Sequence, residues 1–391
     1  MGAGRTRAED GDEHGGTAPG PAGRHACREC GEPLSARDRF CEACGRPSDL
    51  LVAGAAARRR PEARRTCKDC GAMAVGPDDY CDECGLRQAG DREHVELALT
   101  ADGTVAAAPV SRGMPAAGIS DRGLRRSRNE DALALACAAA PVQPPDTPER
   151  LVCAVVCDGV ATAPGSEAAA QLAADTGVAT LVRRLANGAE PEAATRVAVS
   201  RAARAVADLP GAHRNAPACT YVSVVVGPRT VTIGWVGDSR AYWLAGVPGR
   251  AAPSLLTLDD SWAVRMVARG ALDAGTAFAD SRAHLLTAWL GADAGTIEPH
   301  VTSFTPDGPG MVMACSDGLW HHLPEPGALA ATASGGTSPD ATSPDAATGS
   351  AADPLSGARR LVQAALDAGG HDNVTVALIP FPPEPSRETL R

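Results

Sequence analysis

Aromatic residues are scarce in this 391-residue chain: Phe, Trp and Tyr make up 3%, against 44% hydrophobic residues in all. Any core must therefore rest on Ala, Val and Leu, although the length suffices for two or three domains and at least one sizeable core. No apolar run approaches the roughly 20 residues of a membrane-spanning helix, so no membrane partner is expected. The first residues, MGAGRTRAEDGDEHGG, lack the apolar stretch of a secretory signal. Met1–Thr6 fits the short myristoylation pattern, but the Ala/Arg/Gly-rich composition reads as bacterial, where that modification is not expected. An excess of positive charge is missing as well. The net charge is −10, which argues against nucleic acid as a partner, because nucleic-acid binding needs a basic face.

Cysteine, by contrast, is plentiful, with 13 in the chain. Five of them (Cys137, Cys153, Cys157, Cys219, Cys315) lie in or beside apolar runs and read as small core residues. The rest form CxxC pairs. An odd total with paired spacing suggests metal sites in a reducing compartment rather than disulfides, and so the cytoplasm.

Those pairs form an internal repeat. Cys27-x2-Cys30-x10-Cys41-x2-Cys44 recurs as Cys67-x2-Cys70-x10-Cys81-x2-Cys84, offset by 40 residues. A glycine follows each pair (Gly31, Gly45, Gly71, Gly85). Glycine can take positive φ there, which lets backbone N–H groups turn toward the sulfurs. Zinc takes four thiolates tetrahedrally, and each CxxC turn supplies two. The repeat thus implies two structural Zn²⁺ sites, each folding a module too small to build a core unaided. Rubredoxin-like iron uses similar knuckles, but Phe40 and Tyr80 are too few aromatics for a shielded redox site. The pattern resembles a double zinc ribbon, with modules at 25–47 and 66–88, suited to docking or regulation. Residues 1–24 read as a disordered tail and 48–65 as a linker, whose Arg58-Arg59-Arg60 cluster reads as solvated. Residues 89–115 are expected to be a second linker, with a short strand pair around Asp102-Gly103 within it.

The remainder, 116–380, reads as one α+β domain, with 381–391 as a tail. Strand-like runs are Ala132–Cys137, Leu151–Cys157, Thr220–Val226, Thr230–Val236, Ala241–Leu244, Met311–Cys315 and Val374–Ile379, with Gly227-Pro228-Arg229 as a hairpin turn. Apolar residues at helical spacing mark Ser166–Ala186 and Glu192–Leu209, the latter with Pro191 suited to its first turn. A late helix, about Ala358–Ala368, stops at Gly369-Gly370. Strands, then helices, then strands again favour α+β over a doubly wound sheet. Residues 331–357, rich in Ala, Ser, Thr, Pro and Asp, read as a surface insertion. Ser338-Pro339 and Ser343-Pro344 are its candidate phosphorylation sites.

Four aspartates, Asp158, Asp238, Asp317 and Asp372, stand at or beside the ends of apolar runs. Carboxylates at the tips of buried strands are costly unless something positive lies beside them. Several converging would make a cage of hard oxygen ligands suited to Mg²⁺ or Mn²⁺.

The series Arg126-Ser127-Arg128-Asn129-Glu130-Asp131, Asp158-Gly159, Gly237-Asp238-Ser239-Arg240, Ser316-Asp317-Gly318 and Asp372-Asn373 resembles, in that order, the metal-dependent protein phosphatases of type 2C. The resemblance implies a four-layer α-β-β-α sandwich that hydrolyses phosphoserine and phosphothreonine in proteins with a water bridging two Mn²⁺ or Mg²⁺ ions. It implies that Asp158 bridges the ions, that the Gly159 carbonyl completes one shell, and that Asp317 and Asp372 hold the first metal. Glu130 would reach the second, with Asp131 supporting it or ligating. Arg126 would grip the substrate phosphate, and Asn373 would orient a carboxylate or a metal-bound water. For Asp238 two readings stand: contact with a third, weaker metal, or a turn residue that caps backbone N–H groups and pairs with Arg240.

Three stretches depart from the family pattern. Val160–Gly165 replaces a Gly-Gly-His-like stretch, Ala218-Cys219-Thr220 replaces Gly-Thr-Thr, and Asp259-Asp260-Ser261 replaces Asp-His-Ser. None touches the expected two-metal ligands. The first expectation is therefore a monomeric phosphatase acting on products of Ser/Thr kinases. The alternative is an inactive phosphoprotein-binding scaffold. A metal-dependent nuclease is disfavoured by the net charge.

Overall fold

In the computed structural model, the described residues are 25–26, 33–34, 72, 83, 93–100, 103–107, 114–141, 149–211, 216–245, 252–335 and 353–383. The chain divides into two compact units, Met1–Pro61 and Glu62–Arg391. Within the first, His25–Ala26 pairs antiparallel with Pro33–Leu34. All eight CxxC cysteines, the 1–24 tail, the 381–391 tail beyond residue 383 and the whole 48–65 linker lie outside the described residues, as does the insertion between 336 and 352.

The second unit contains two large antiparallel sheets, besides a small pair of Ala218–Cys219 with Leu290–Gly291. We number its strands β1 (His94–Leu99), β2 (Val105–Ala107), β3 (Ala116–Asp121), β4 (Ala132–Ala140), β5 (Glu149–Cys157), β6 (Tyr221–Val226), β7 (Val231–Val236), β8 (Arg240–Ala245), β9 (Ser254–Leu255), β10 (His300–Phe304), β11 (Gly310–Cys315) and β12 (Val374–Phe381). Its helices are α1 (Ser166–Ala186), α2 (Pro191–Ala207), α3 (Trp262–Ala268), α4 (Ala274–Ala279), α5 (Asp317–Trp320), α6 (Pro326–Ser334) and α7 (Pro354–Asp367). One sheet runs β10-β7-β6-β5-β4 and the other β9-β8-β11-β12-β3-β1-β2.

Three apolar layers hold the sandwich. Val152, Val156, Val222, Val224, Trp243, Val312 and Ile379 fill the space between the sheets. Cys153, Val155, Val225 and Tyr221 face α1 and α2, and Met313, Val376 and Leu378 face α6 and α7. Helices therefore cover both outer sheet faces, giving the four-layer α-β-β-α sandwich expected. The shortage of aromatics is met by close approach. The buried face of α1 carries Ala169, Ala170, Ala173, Ala174 and Gly177, and a Cβ on Gly177 would meet the Tyr221 hydroxyl at 2.5 Å. Among the described residues no helix is long and apolar enough to cross a membrane.

Three boundaries differ from expectation. Residues 89–115 are more than a linker: β1 pairs with β3 from His94↔Asp121 to Leu99↔Ala116 and extends the larger sheet. Val95 and Val105 are exposed in this hairpin, while Ala98 and Leu99 are buried, so only one half of its short apolar pattern faces the core. The proposed insertion starts later and ends earlier, since α6 runs through Ser334 and α7 begins at Pro354. β3 and β10 carry no strand signal in the sequence. AAGISD is too small and mixed in type, and HVTSF has a polar, mostly exposed pattern on a sheet edge.

Antiparallel register places the site. Ala132 at the start of β4 faces Cys157 at the end of β5. Cys315 at the end of β11 faces Val376 near the start of β12 and Arg240 at the start of β8. Residues just beyond these termini (Asp131, Asp158, Asp238, Asp317, Asp372) therefore emerge at one end of the sandwich.

Candidate active site

Asp158 follows β5 directly. Its N–H donates to Thr220 Oγ1 at 3.0 Å, the Thr220 N–H donates back to the Asp158 carbonyl at 2.8 Å, and Thr220 Oγ1 lies 2.7 Å from Ser239 Oγ. Ala218-Cys219-Thr220, a departure from the family pattern, thus retains a hydroxyl where the Asp158 backbone needs an acceptor. Burial, then the charges of Asp131, Asp317 and Asp238, pushes the Asp158 carboxyl well above the usual carboxylate range. Gly159 N–H donates to the Glu130 carbonyl at 3.1 Å, and the Glu130 carboxylate accepts from Ser166 Oγ at 2.8 Å. Ser166 opens α1, so Glu130 is drawn toward the positive end of that helix.

The facing wall comes from the larger sheet. Ser316 Oγ accepts from the Thr375 N–H at 2.9 Å and donates to Asp131 Oδ2 at 2.7 Å. The other Asp131 oxygen is buried without a hydrogen-bond partner. Burial raises the Asp131 carboxyl to about 7, against the lowering bonds from Ser316 and Thr375. Asp317 begins α5, where burial and the Asp372 charge raise it and His321, 3.6 Å away, offsets part of the rise. Burial, ahead of any partner, holds the His321 imidazole below its ordinary value. Gly318 admits no side chain, because a Cβ would come within 1.9 Å of the Asn373 carbonyl oxygen.

Asp372 receives the guanidinium of Arg126 on both oxygens, at 2.7 and 2.6 Å. The Asn373 side-chain amide donates to the carbonyls of Arg122 and Arg128 and accepts from the Glu130 N–H, while its own N–H donates to Asp372. Its polar side-chain atoms are engaged with backbone, so it braces the 122–130 loop and, through its backbone, holds the Asp372 carboxylate.

Asp238 is buried, and desolvation, ahead of the Asp317 and Asp259 charges, pushes its carboxyl up to about 8. The expected Asp238–Arg240 pair is replaced. Arg240 forks onto Asp259 at 2.9 and 2.7 Å and lies 3.6 Å over the Trp320 ring, whose Nε1–H donates to the Asp238 carbonyl. Asp260, standing where the family has histidine, accepts from the Gly237 N–H at 2.9 Å and pairs with His300 at 2.9 Å. Ser166, Thr220, Ser316 and Trp320 were not among the residues expected at the site. Ser316, beside Asp317 in its motif, and Thr220, in the stretch that stands for Gly-Thr-Thr, had a local signal.

Five carboxylates (Asp131, Asp158, Asp238, Asp317, Asp372) and Glu130 therefore share one end of the sandwich, with Arg126 as a cation among them. As the side chains stand, no three His, Cys, Asp or Glu groups among the described residues close on a common metal position. Arg126 occupies Asp372, and Ser166 holds Glu130. The donor set still fits hard divalent cations. It is all oxygen, several members are buried at the expense of their ionisation, and one Asp131 oxygen has no partner.

Residues 126–256 match the family model described as Protein phosphatase 2C, and residues 27–85 match Double zinc ribbon. Along the chain the double-zinc-ribbon match thus comes first and the phosphatase-2C match follows it. The serine/threonine phosphatase PstP/Ppp of Mycobacterium tuberculosis is 24% identical, with 67% of this chain and 96% of that chain covered at a TM-score of 0.50. A bacterial serine phosphatase is 22% identical over 69% of this chain and 98% of its own, with a TM-score of 0.52. Stp1, a serine/threonine phosphatase from Staphylococcus aureus, is 21% identical over 68% and 93%, with a TM-score of 0.50. At these identities the likeness establishes the fold. No curated protein matches the chain in sequence.

Proposed function

We propose that this chain is a metal-dependent protein phosphatase that hydrolyses phosphoserine and phosphothreonine, with the zinc ribbons as a docking or regulatory module. The observation that carries the reading is the convergence of Asp158, Asp317 and Asp372 with the Arg126 guanidinium at one end of the sandwich. Phosphate monoester hydrolysis needs hydroxide at neutral pH and positive charge on the phosphoryl oxygens. Two Mn²⁺ or Mg²⁺ ions supply both when bound. Asp158 would bridge them, Asp317, Asp372 and the Gly159 carbonyl would complete the set, and Glu130 with Asp131 would serve the second ion. Arg126 has a planar fork matched to two phosphate oxygens. Its present grip on Asp372 marks where an anion binds it.

Asp238 would contact a third, weaker metal. The eight cysteines Cys27, Cys30, Cys41, Cys44, Cys67, Cys70, Cys81 and Cys84 would hold two structural Zn²⁺ ions. The substrates would be phosphoproteins made by Ser/Thr kinases in a bacterial cytoplasm, met by a monomer.

The Arg126–Asp372 pair also favours one competing reading, a weak or inactive phosphatase fold that binds phosphoproteins. The test is turnover of p-nitrophenyl phosphate and a phosphothreonine peptide by the full chain with Mn²⁺ or Mg²⁺. Turnover abolished by Asp158→Ala and by chelation is expected. Absence of turnover with both ions on both substrates would leave the scaffold.

A further inference from the structure

β1 enters the catalytic end of the sandwich through its first residues. The Glu93 carbonyl accepts from the Arg122 N–H at 2.9 Å, and Glu93 Oε2 accepts from the Asn129 N–H at 2.7 Å. Next to it, His94 Nδ1 lies 2.6 Å from Asp121 Oδ2, and the other Asp121 oxygen accepts from the Gly123 N–H at 2.8 Å. Glu93 and His94 thus touch both ends of the 121–129 segment, on which Arg126 sits.

From the core side the same segment is held by different groups. Asn373 takes the Arg122 and Arg128 carbonyls, Gly370 accepts from Leu124 and Arg125, and Asn129 donates its side chain to Ser120 Oγ at 2.8 Å. Asn129 Oδ1 then accepts from the Asp131 N–H at 3.2 Å. Asn129 is therefore gripped between Ser120 inside and Glu93 outside, three residues after Arg126 and next to Glu130. The match to Protein phosphatase 2C begins at Arg126 and the ribbon match ends at Gly85. Glu93 belongs to the stretch between them.

We infer that Glu93 is a positioning residue for the Arg126 loop: its carboxylate, presented by the strand that follows the second cysteine repeat, fixes the Asn129 peptide and with it the reach of the Arg126 guanidinium toward substrate phosphate. The inference rests on the phosphatase reading for its kinetic consequence and on the Glu93–Asn129 bond for its structural one. Substrate binding should depend on it more than the chemical step, because Asp158 and Asp317 follow β5 and β11, Asp372 precedes β12, and none of them bonds to Glu93.

The test uses the full chain as wild type, Glu93→Ala and Glu93→Gln. Glu93→Gln keeps an oxygen that accepts from Asn129. Hydrogen exchange of peptides covering 122–131 is measured beside KM and kcat for p-nitrophenyl phosphate with Mn²⁺ and inhibition by inorganic phosphate. For Glu93→Ala we expect about tenfold faster exchange confined to that segment. KM and the phosphate inhibition constant should rise about 3- to 10-fold, as for loss of one charge-assisted hydrogen bond at a partly solvated position, with kcat within about twofold. Glu93→Gln should restore both. Unchanged exchange and KM in Glu93→Ala would overturn the inference, and so would a general loss of protection with a lowered Tm. If the wild type does not turn over, the phosphatase reading fails by itself, and exchange at 122–131 still decides whether Glu93 holds the loop.

Discussion

Arg126 Nε and Nη2 hold the two carboxylate oxygens of Asp372 at 2.7 and 2.6 Å. The cation proposed to grip phosphate and one of the proposed metal ligands thus neutralise each other across 246 residues of sequence. The bond to Asp372, ahead of all other causes, raises the Arg126 guanidinium above its ordinary value. Binding of a cation at Asp372 and of a phosphate at Arg126 must both draw on this pair.

Arg126→Ala should therefore separate the two roles. Titration with Mn²⁺ is expected to show affinity raised a few-fold, since Asp372 is released. KM for p-nitrophenyl phosphate should rise at least about tenfold, consistent with loss of a charge-assisted contact. Weaker Mn²⁺ binding in the variant would show that Arg126 supports the metal site instead of competing for it.

Asp158→Asn and Asp317→Asn should each lower turnover by about three orders of magnitude or more, the scale on which electrostatic elements of a site act. Each removes one of several mutually repelling buried carboxylates, so the metal-free variants should melt at or above the wild-type temperature. Activity lost with a higher Tm in chelator is the expected signature, as in other functional sites where stability is given up for chemistry. Retained turnover in Asp158→Asn would remove that residue from the bridge.

Gly318→Ala tests close packing at the same place. A methyl group there would lie 1.9 Å from the Asn373 carbonyl oxygen, against backbone that cannot move independently of Asp372. We expect a stability loss of about 1–3 kcal/mol, the range for overpacking, together with loss of turnover. Chemical denaturation and a p-nitrophenyl phosphate assay measure the two effects.

The His300–Asp260 pair has a pH signature of its own. The bond to Asp260 raises the His300 imidazole above its ordinary value, against desolvation. Protonated His300 is therefore favoured in the folded state. Its contribution is fully present below the unfolded value near 6.5 and is lost as pH rises through the raised folded value. Because the His300 side chain is 46% exposed, the contribution is discounted to about 0.5 kcal/mol. Tm measured from pH 5.5 to 8.5 should fall slightly less in His300→Gln than in wild type. An identical pH slope would show that the pair is energetically silent.

Metal analysis of the purified full chain should find two tightly held zinc ions, lost when Cys27 and Cys67 are both replaced by serine. Iron, or no retained metal, would refute the ribbon reading.

What was legible in the sequence follows from local physics. The Leu151–Cys157 run is uniformly apolar and Val231–Val236 nearly so because both faces of those strands are covered; Asp158 follows the first directly and Asp238 follows the second after Gly237. The helix of Ser166–Ala186 announced itself by its spacing. β3 did not, because its AAGISD residues gain their burial from elements distant in sequence: β12 and β1 on either side and α7 across one face. The cysteine repeat and the aspartate series were legible because ligand chemistry requires particular residue types at particular spacings.

The sequence alone determined the α+β class, the ribbon spacing and the aspartates expected to bind metal, since periodicity and ligand type are properties of short segments. Only the tertiary structure decided which partners those groups take. It gave Arg126 to Asp372, Arg240 to Asp259 and the Asn373 side chain to loop carbonyls, and it joined the strand pair around Asp102-Gly103 to the larger sheet. The reason is that register between strands far apart in sequence sets which polar groups meet, and buried polar groups must pair with whatever that register brings within reach.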